Sequence, residues 1–138
     1  MSINLGVVAL ASMAQFIVGA AWYTFVFGKQ WGEMFGFDKL SKKDQKEMQS
    51  KMGPYYGLQL FVTLMTSYVL ALFIADNPDS SEFVIALWLW VGFVVPTQVS
   101  AVIFGGVHAR WIQRRIAIMA GGSLVCLMVA AWIFSLFA

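Results

Sequence analysis

The residues of this chain that could do chemistry within apolar sequence are amides and hydroxyls. Gln15 stands in a first apolar run, Gln59, Thr63, Thr66 and Ser67 in a second, Thr97, Gln98 and Ser100 in a third, and Ser123 with Cys126 in a fourth. No Asp, Glu, Lys or Arg falls inside these runs. Intramembrane carboxylates mark proton relays and ion paths, so their lack argues against a proton pump. Pro96 sharpens the third cluster: it has no N–H, and the Gly92 carbonyl loses its helical donor beside Thr97, Gln98 and Ser100. Gln15, Pro96, Thr97 and Gln98 are therefore the candidate ligand-binding residues, at depths of about 16 and 22 Å for the two glutamines if their helices run in the same direction. The competing role for such groups is adhesion between helices, at about 0.6 kcal/mol per hydrogen bond.

Other reactive side chains offer little. His108 is the only histidine and has no second ligand at a zinc-like spacing. Cys126 has no base near it in sequence and reads as packing. Neither Gly105–Gly106 nor Gly121–Gly122 belongs to a strand-turn-helix phosphate loop. No nucleophile can be paired with a base, so no catalytic residue, metal or cofactor is assigned and enzyme activity is not expected.

Holding polar groups in these places requires lipid-spanning elements. Of 138 residues, 60% are hydrophobic and 12% charged, and the mean hydropathy is +0.75, too apolar for a soluble domain, where about 25% charged is usual. Four spans follow, at about 4–27, 55–75, 83–104 and 116–137, each bounded by charge or by Gly and Pro. The expected fold is an all-α integral membrane four-helix bundle forming a single domain, 1–138. The first run is longer than a signal-peptide core and lacks a basic leader, so it reads as a retained helix.

The connections are unequal. The first carries six lysines (29, 39, 42, 43, 46, 51) with Glu33, Asp38, Asp44 and Glu47; the second, DNPDSSE, has three acids and no base; the third carries Arg110, Arg114 and Arg115. All nine bases thus lie in the first and third connections. The positive-inside rule places those loops in the cytoplasm and both termini outside, which fits a bacterial inner (plasma) membrane. The net charge of +2 is thereby explained by topology, and no basic domain remains for nucleic acid. Trp22, Trp31 and Trp111 are expected at the inner boundary, and Trp88, Trp90 and Trp132 toward the outer one, as headgroup-level anchors.

Within the first loop, Ser41 and Asp44 resemble a capping box, and a short amphipathic helix is expected at about 42–51 with a Glu47–Lys51 pair. Its lysines and the Leu40, Met48, Met52 edge could lie on anionic lipid. Two rows of small residues, Thr63, Ser67, Ala71, Ala75 and Gly122, Cys126, Ala130, predict close helix contacts within the bundle or between protomers, and a homo-oligomer is expected. Laying Gln15–Gly28 on Gly92–Gly105 matches Phe16/Phe93, Val18/Val95, Phe27/Phe104 and Gly28/Gly105, a possible parallel repeat of two hairpins.

The residues Trp22, Tyr23, Phe27, Gly28, Lys29, Trp31 and Gly36, with WVGFVVPT from Trp90 to Thr97, resemble the membrane family catalogued as domain of unknown function 1761. The resemblance covers most of the chain. It departs at Thr24–Phe25, where the family often has a small residue and Pro, and at Ala101, where an Asn is expected. It implies a small four-helix membrane protein and no activity. The preferred function is binding or transport of a small or lipophilic molecule at the polar mid-membrane site. The alternative is a non-transporting scaffold or accessory subunit whose FGK-x-W exit and lysine-rich loop hold a protein partner or anionic lipid.

Overall fold

The computed structural model describes residues 3–138, which fold entirely into helices and their connections. Four helical spans, Leu5–Val26, Gly53–Asp76, Glu82–Ile103 and Ala109–Leu136, are long and apolar enough to cross a membrane. The first consists of α1 (Leu5–Ala21) and a π-helical turn at Trp22–Val26. Asn4 starts it, its side-chain oxygen accepting from the Gly6 and Val7 N–H groups at 3.0 and 3.2 Å, which satisfies two of the orphan donors of a helix start.

A short helix, α2 (Gly28–Met34), follows at the basic end and stops at Gly36, whose φ of +69° lies in the left-handed region that glycine enters at little cost. Helix α3 (Lys42–Ser50) is capped by Ser41 Oγ, which accepts from the Asp44 N–H at 3.2 Å. Lys51 and Glu47 pair at 3.6 Å along its exposed surface. The Met48 and Met52 edge is left uncovered by the bundle. Only Gln45 reaches back, donating to the Phe37 and Leu40 carbonyls at 2.9 and 3.3 Å.

The second span is α4 (Gly53–Asp76), with Pro54 in the first turn where its missing N–H is harmless. The third begins as α5 (Glu82–Leu89) under a Ser81 cap, passes through a second π-helical turn at Trp90–Val94, and continues as α6 (Val95–Ile103). The second wide turn is the one that adjoins a proline. Proline removes one donor and crowds the carbonyl four residues back, and here the Val95 N–H bonds the Trp90 carbonyl, five residues back, immediately before Pro96. The last span is α7 (Ile112–Leu136).

Helix α1 is the shared neighbour of α4 and α7, and α7 in turn carries the third span; α4 meets α5 only modestly. The apolar core is concentrated toward the acidic end, among Val8, Ala11, Leu70, Ala86, Leu127, Ala130 and Phe134. Toward the basic end few apolar side chains are buried, chiefly Val102 and Ile118. The two small-residue rows are used within the chain: Thr63, Ser67, Ala71, Gly122 and Ala130 are buried, and a Cβ on Gly19 would be 3.6 Å from Cys126 Sγ. Close approach of backbones is the use predicted for such rows, and α1 is the helix that approaches.

Candidate functional site

The mid-membrane amides fall into two hydrogen-bonded sets. Gln15 and Ser12 on α1 meet Ser67 on α4, and all three are buried. Gln15 Nε2 donates to Ser67 Oγ at 2.6 Å and to the Ala11 carbonyl at 3.3 Å. Ser12 Oγ lies 2.8 Å from Ser67 Oγ and 2.7 Å from the Val8 carbonyl. Each hydroxyl has one proton, and one assignment uses them all: Gln15 donates to Ser67, Ser67 to Ser12, and Ser12 to Val8. The chain of bonds joins α1 to α4 and consumes the polarity that makes Gln15 conspicuous. Across α1, Cys126 Sγ reaches the Gln15 carbonyl at 3.5 Å.

Gln98 belongs to a second cluster, between the third span and α7. Ser123 Oγ stands 3.2 Å from Gln98 Oε1 and 3.0 Å from the Ala120 carbonyl. Trp90 Nε1 donates to that carbonyl at 2.9 Å and approaches Ser123 Oγ at 3.2 Å. Thr97 and Pro96 lie on the exposed side of the helix, and Thr97 Oγ1 donates back to the Phe93 carbonyl at 2.6 Å. Thus Gln98 is placed with Trp90 and Ser123, Gln15 with Ser12 and Ser67, and no hydrogen bond joins the two sets among the described residues. Two open clefts, the larger about 350 Å³ and lined by Phe73, Asn77, Val84 and Trp88 among others, the second by Asn4, Ala71 and Phe137 among others, lie toward the acidic end. Neither is lined by Gln15, Pro96, Thr97 or Gln98.

Trp90 does more than its expected place toward the outer boundary requires. It is half-buried, and its indole N–H finds a backbone acceptor on α7. Trp22 does the same two residues earlier on α7: its Nε1 donates to the Ile118 carbonyl at 2.9 Å. Each tryptophan opens a π-helical turn, in WYTFV at Trp22–Val26 and in WVGFV at Trp90–Val94. The likeness of the first and third spans is thus carried structurally by W-x-x-F-V, nine residues out of step with the match through Phe27–Gly28 and Phe104–Gly105. Those two FG pairs do different work, since Gly28 starts α2 while Gly105 follows the end of α6. Space for Trp22 is made by the double glycine of α7: a Cβ on Gly122 would lie 2.8 Å from the indole Cδ1, and one on Gly121 would lie 3.1 Å from Cζ2.

The basic end gathers the remaining motif residues. Trp22 packs at a tilt on Phe27 at 4.9 Å between ring centroids, Tyr23 likewise on Trp31 at 4.8 Å, and Trp31 edge-on to Phe35 at 5.2 Å. The Arg115 guanidinium, from the first turn of α7, lies 4.8 Å from the Phe35 ring centroid and 5.6 Å from that of Trp31. Arg110 and Arg114 approach Trp111 at 5.5 and 5.4 Å. Lys29 is exposed.

None of these bases is paired with a carboxylate; Lys51–Glu47 is the one ion pair among the described residues. Arg115 Nε is buried without a hydrogen-bond partner. An unsatisfied buried donor costs about 1–3 kcal/mol, more for a charged group. Three arginines and no acid at the start of a helix also oppose its dipole, which favours negative charge there. Sequence reading located Trp31 and Gly36 but missed Phe35, Arg115 and Ser12. Ser12 had a signal, one turn before Gln15 on the same face; the Arg115 contact joins residues 80 or more positions apart and had none.

The arrangement has no group of three metal ligands among the described residues. A family model described as protein of unknown function (DUF1761) matches residues 7–135. No curated protein and no solved structure matches the chain.

Proposed function

The chain belongs to the DUF1761 family, and from that premise we propose that it is a non-transporting membrane scaffold whose basic end holds an anionic partner. The observation that carries this reading is the contrast in pairing. In the middle of the spans Gln15, Ser12, Ser67, Trp90 and Ser123 satisfy one another or backbone carbonyls, which latches α4 to α1 and the third span to α7. At the basic end Arg110, Arg114, Arg115 and Lys29 have no carboxylate partner. On this reading the basic loops face the cytoplasm, as the positive-inside rule directs. Copies of the chain associate through α4 and the third span, the two spans least covered by the rest of the molecule.

A second reading, a polar mid-membrane ligand site, is favoured by one observation: Gln98 offers only its Oε1 to Ser123, and its amino group makes no hydrogen bond among the described residues. Cysteines placed singly at Gln15 and Gln98 in a Cys126→Ala background decide between them. The scaffold reading predicts that neither reacts with a membrane-impermeant thiol reagent from either side of a proteoliposome. Labelling of either from an aqueous side would overturn it in favour of the second.

A further inference from the structure

Arg115 is the one buried, unpartnered donor among the described side chains, and its surroundings specify what it lacks. Rings of Phe35 and Trp31 stand against the guanidinium, and Tyr23 packs at a tilt on Trp31. Aromatic faces hold a guanidinium flat and strip water from it, which leaves its edge as the route to an acceptor. The two terminal nitrogens have no protein acceptor and are not buried, so that edge opens outward. Glu33, the acid nearest in sequence on α2, makes no ion pair with it.

A planar, always-charged fork with an open edge fits a phosphate or a carboxylate. The setting chooses between them. The box lies at the basic end of four membrane-length helices, where Trp31 and Trp111 mark the headgroup level, and Arg110 and Arg114, gathered at Trp111, make no ion pair among the described residues. The anion present there in quantity is the phosphate of an anionic phospholipid.

We infer that Arg115, held against the paired rings of Trp31 and Phe35, is the phosphate-binding residue of an anionic phospholipid site at the basic end of α7. The inference rests on the reading of this end as a binding surface and deepens it by naming the ligand class. It differs from general attraction of the membrane to the lysine-rich loop, because the loop helix α3 is exposed and contributes nothing to the box.

The test is native mass spectrometry of the full-length protein in neutral detergent, titrated with phosphatidylglycerol and, separately, phosphatidylcholine. The wild-type chain should retain phosphatidylglycerol in preference; equal retention of the two lipids would overturn the site whatever any variant does. Arg115→Gln should weaken phosphatidylglycerol about tenfold, the loss of one charge-assisted pair. Arg115→Lys, which keeps the charge and guards against misfolding as the explanation, should fall between wild type and Arg115→Gln. A Lys42→Gln, Lys43→Gln, Lys46→Gln variant should bind like wild type. If this loop variant loses the lipid and Arg115→Gln does not, the site is refuted in favour of diffuse attraction. Glycerol 3-phosphate added in excess should compete weakly against the lipid; full displacement at equal concentration would assign the box to a soluble phosphate instead. Because none of these readings depends on positions 15 or 98, the site can fail while the scaffold reading stands, and the reverse.

Discussion

The middle of the bundle and its basic end contain comparable numbers of conspicuous residues, yet they treat polarity in opposite ways. In the middle, the amides and hydroxyls of Gln15, Ser12, Ser67 and Ser123 are turned toward each other or to carbonyls. At the basic end, Arg115 is buried at Nε with no acceptor, and three further bases stand unpaired. Lipid offers no hydrogen bonds, so polarity in the spans is kept only if the protein pairs it. At the headgroup level water and phosphate are available, so polarity there can be left for something outside the chain. The comparison teaches that a polar residue in a span is a weaker pointer to function than an unpaired one at its rim.

The comparison breaks most sharply if the middle is forced open. Gly122→Ala places a methyl where the Trp22 ring lies 2.8 Å away, so the indole must shift and its bond to Ile118 must lengthen. The expected loss is about 1–3 kcal/mol of stability, measured by unfolding in mixed detergent micelles. Gly92→Ala, where an added Cβ meets nothing within 4 Å, is the control and should be nearly silent. Next in size, Gln15→Leu removes the donor to Ser67 and should cost about 0.6–1.7 kcal/mol by the same measurement. Trp90→Phe keeps the ring and deletes the bond to Ala120, for about 0.5–1.5 kcal/mol. Smallest is Thr97→Val, which loses only a bond to its own helix on an exposed side and should stay within about 0.5 kcal/mol. A large effect at Thr97 would sharpen the case for the second reading, since a latch has no use for that hydroxyl.

Much of the architecture was legible in the chain. Four apolar runs separated by charge, a Ser41 cap and rows of small residues are local patterns, and local patterns are what periodicity and composition report. The polar cluster was legible only as an inventory. Gln15 and Gln98 were visible as amides in lipid, but which helix faces them depends on the rotation of α1 against α4 and of α6 against α7, and no spacing along the chain encodes that. Pro96 was read as the centre of a kinked polar patch; it follows directly on a widened turn, and its side faces outward. Trp90 was read only as a depth anchor because tryptophan composition predicts belts; the bond of its indole to a carbonyl 30 residues away has no local signal. Arg115 was counted only as a topological charge, because nothing local announces that Trp31 and Phe35 fold over it.

The most direct measurement compares phosphatidylglycerol retention, by native mass spectrometry, in the Gln15→Leu and Arg115→Gln variants. A paired middle and an open rim predict that Gln15→Leu binds like wild type despite its lower stability, while Arg115→Gln binds about tenfold more weakly. Loss of lipid by Gln15→Leu with retention by Arg115→Gln would contradict the account.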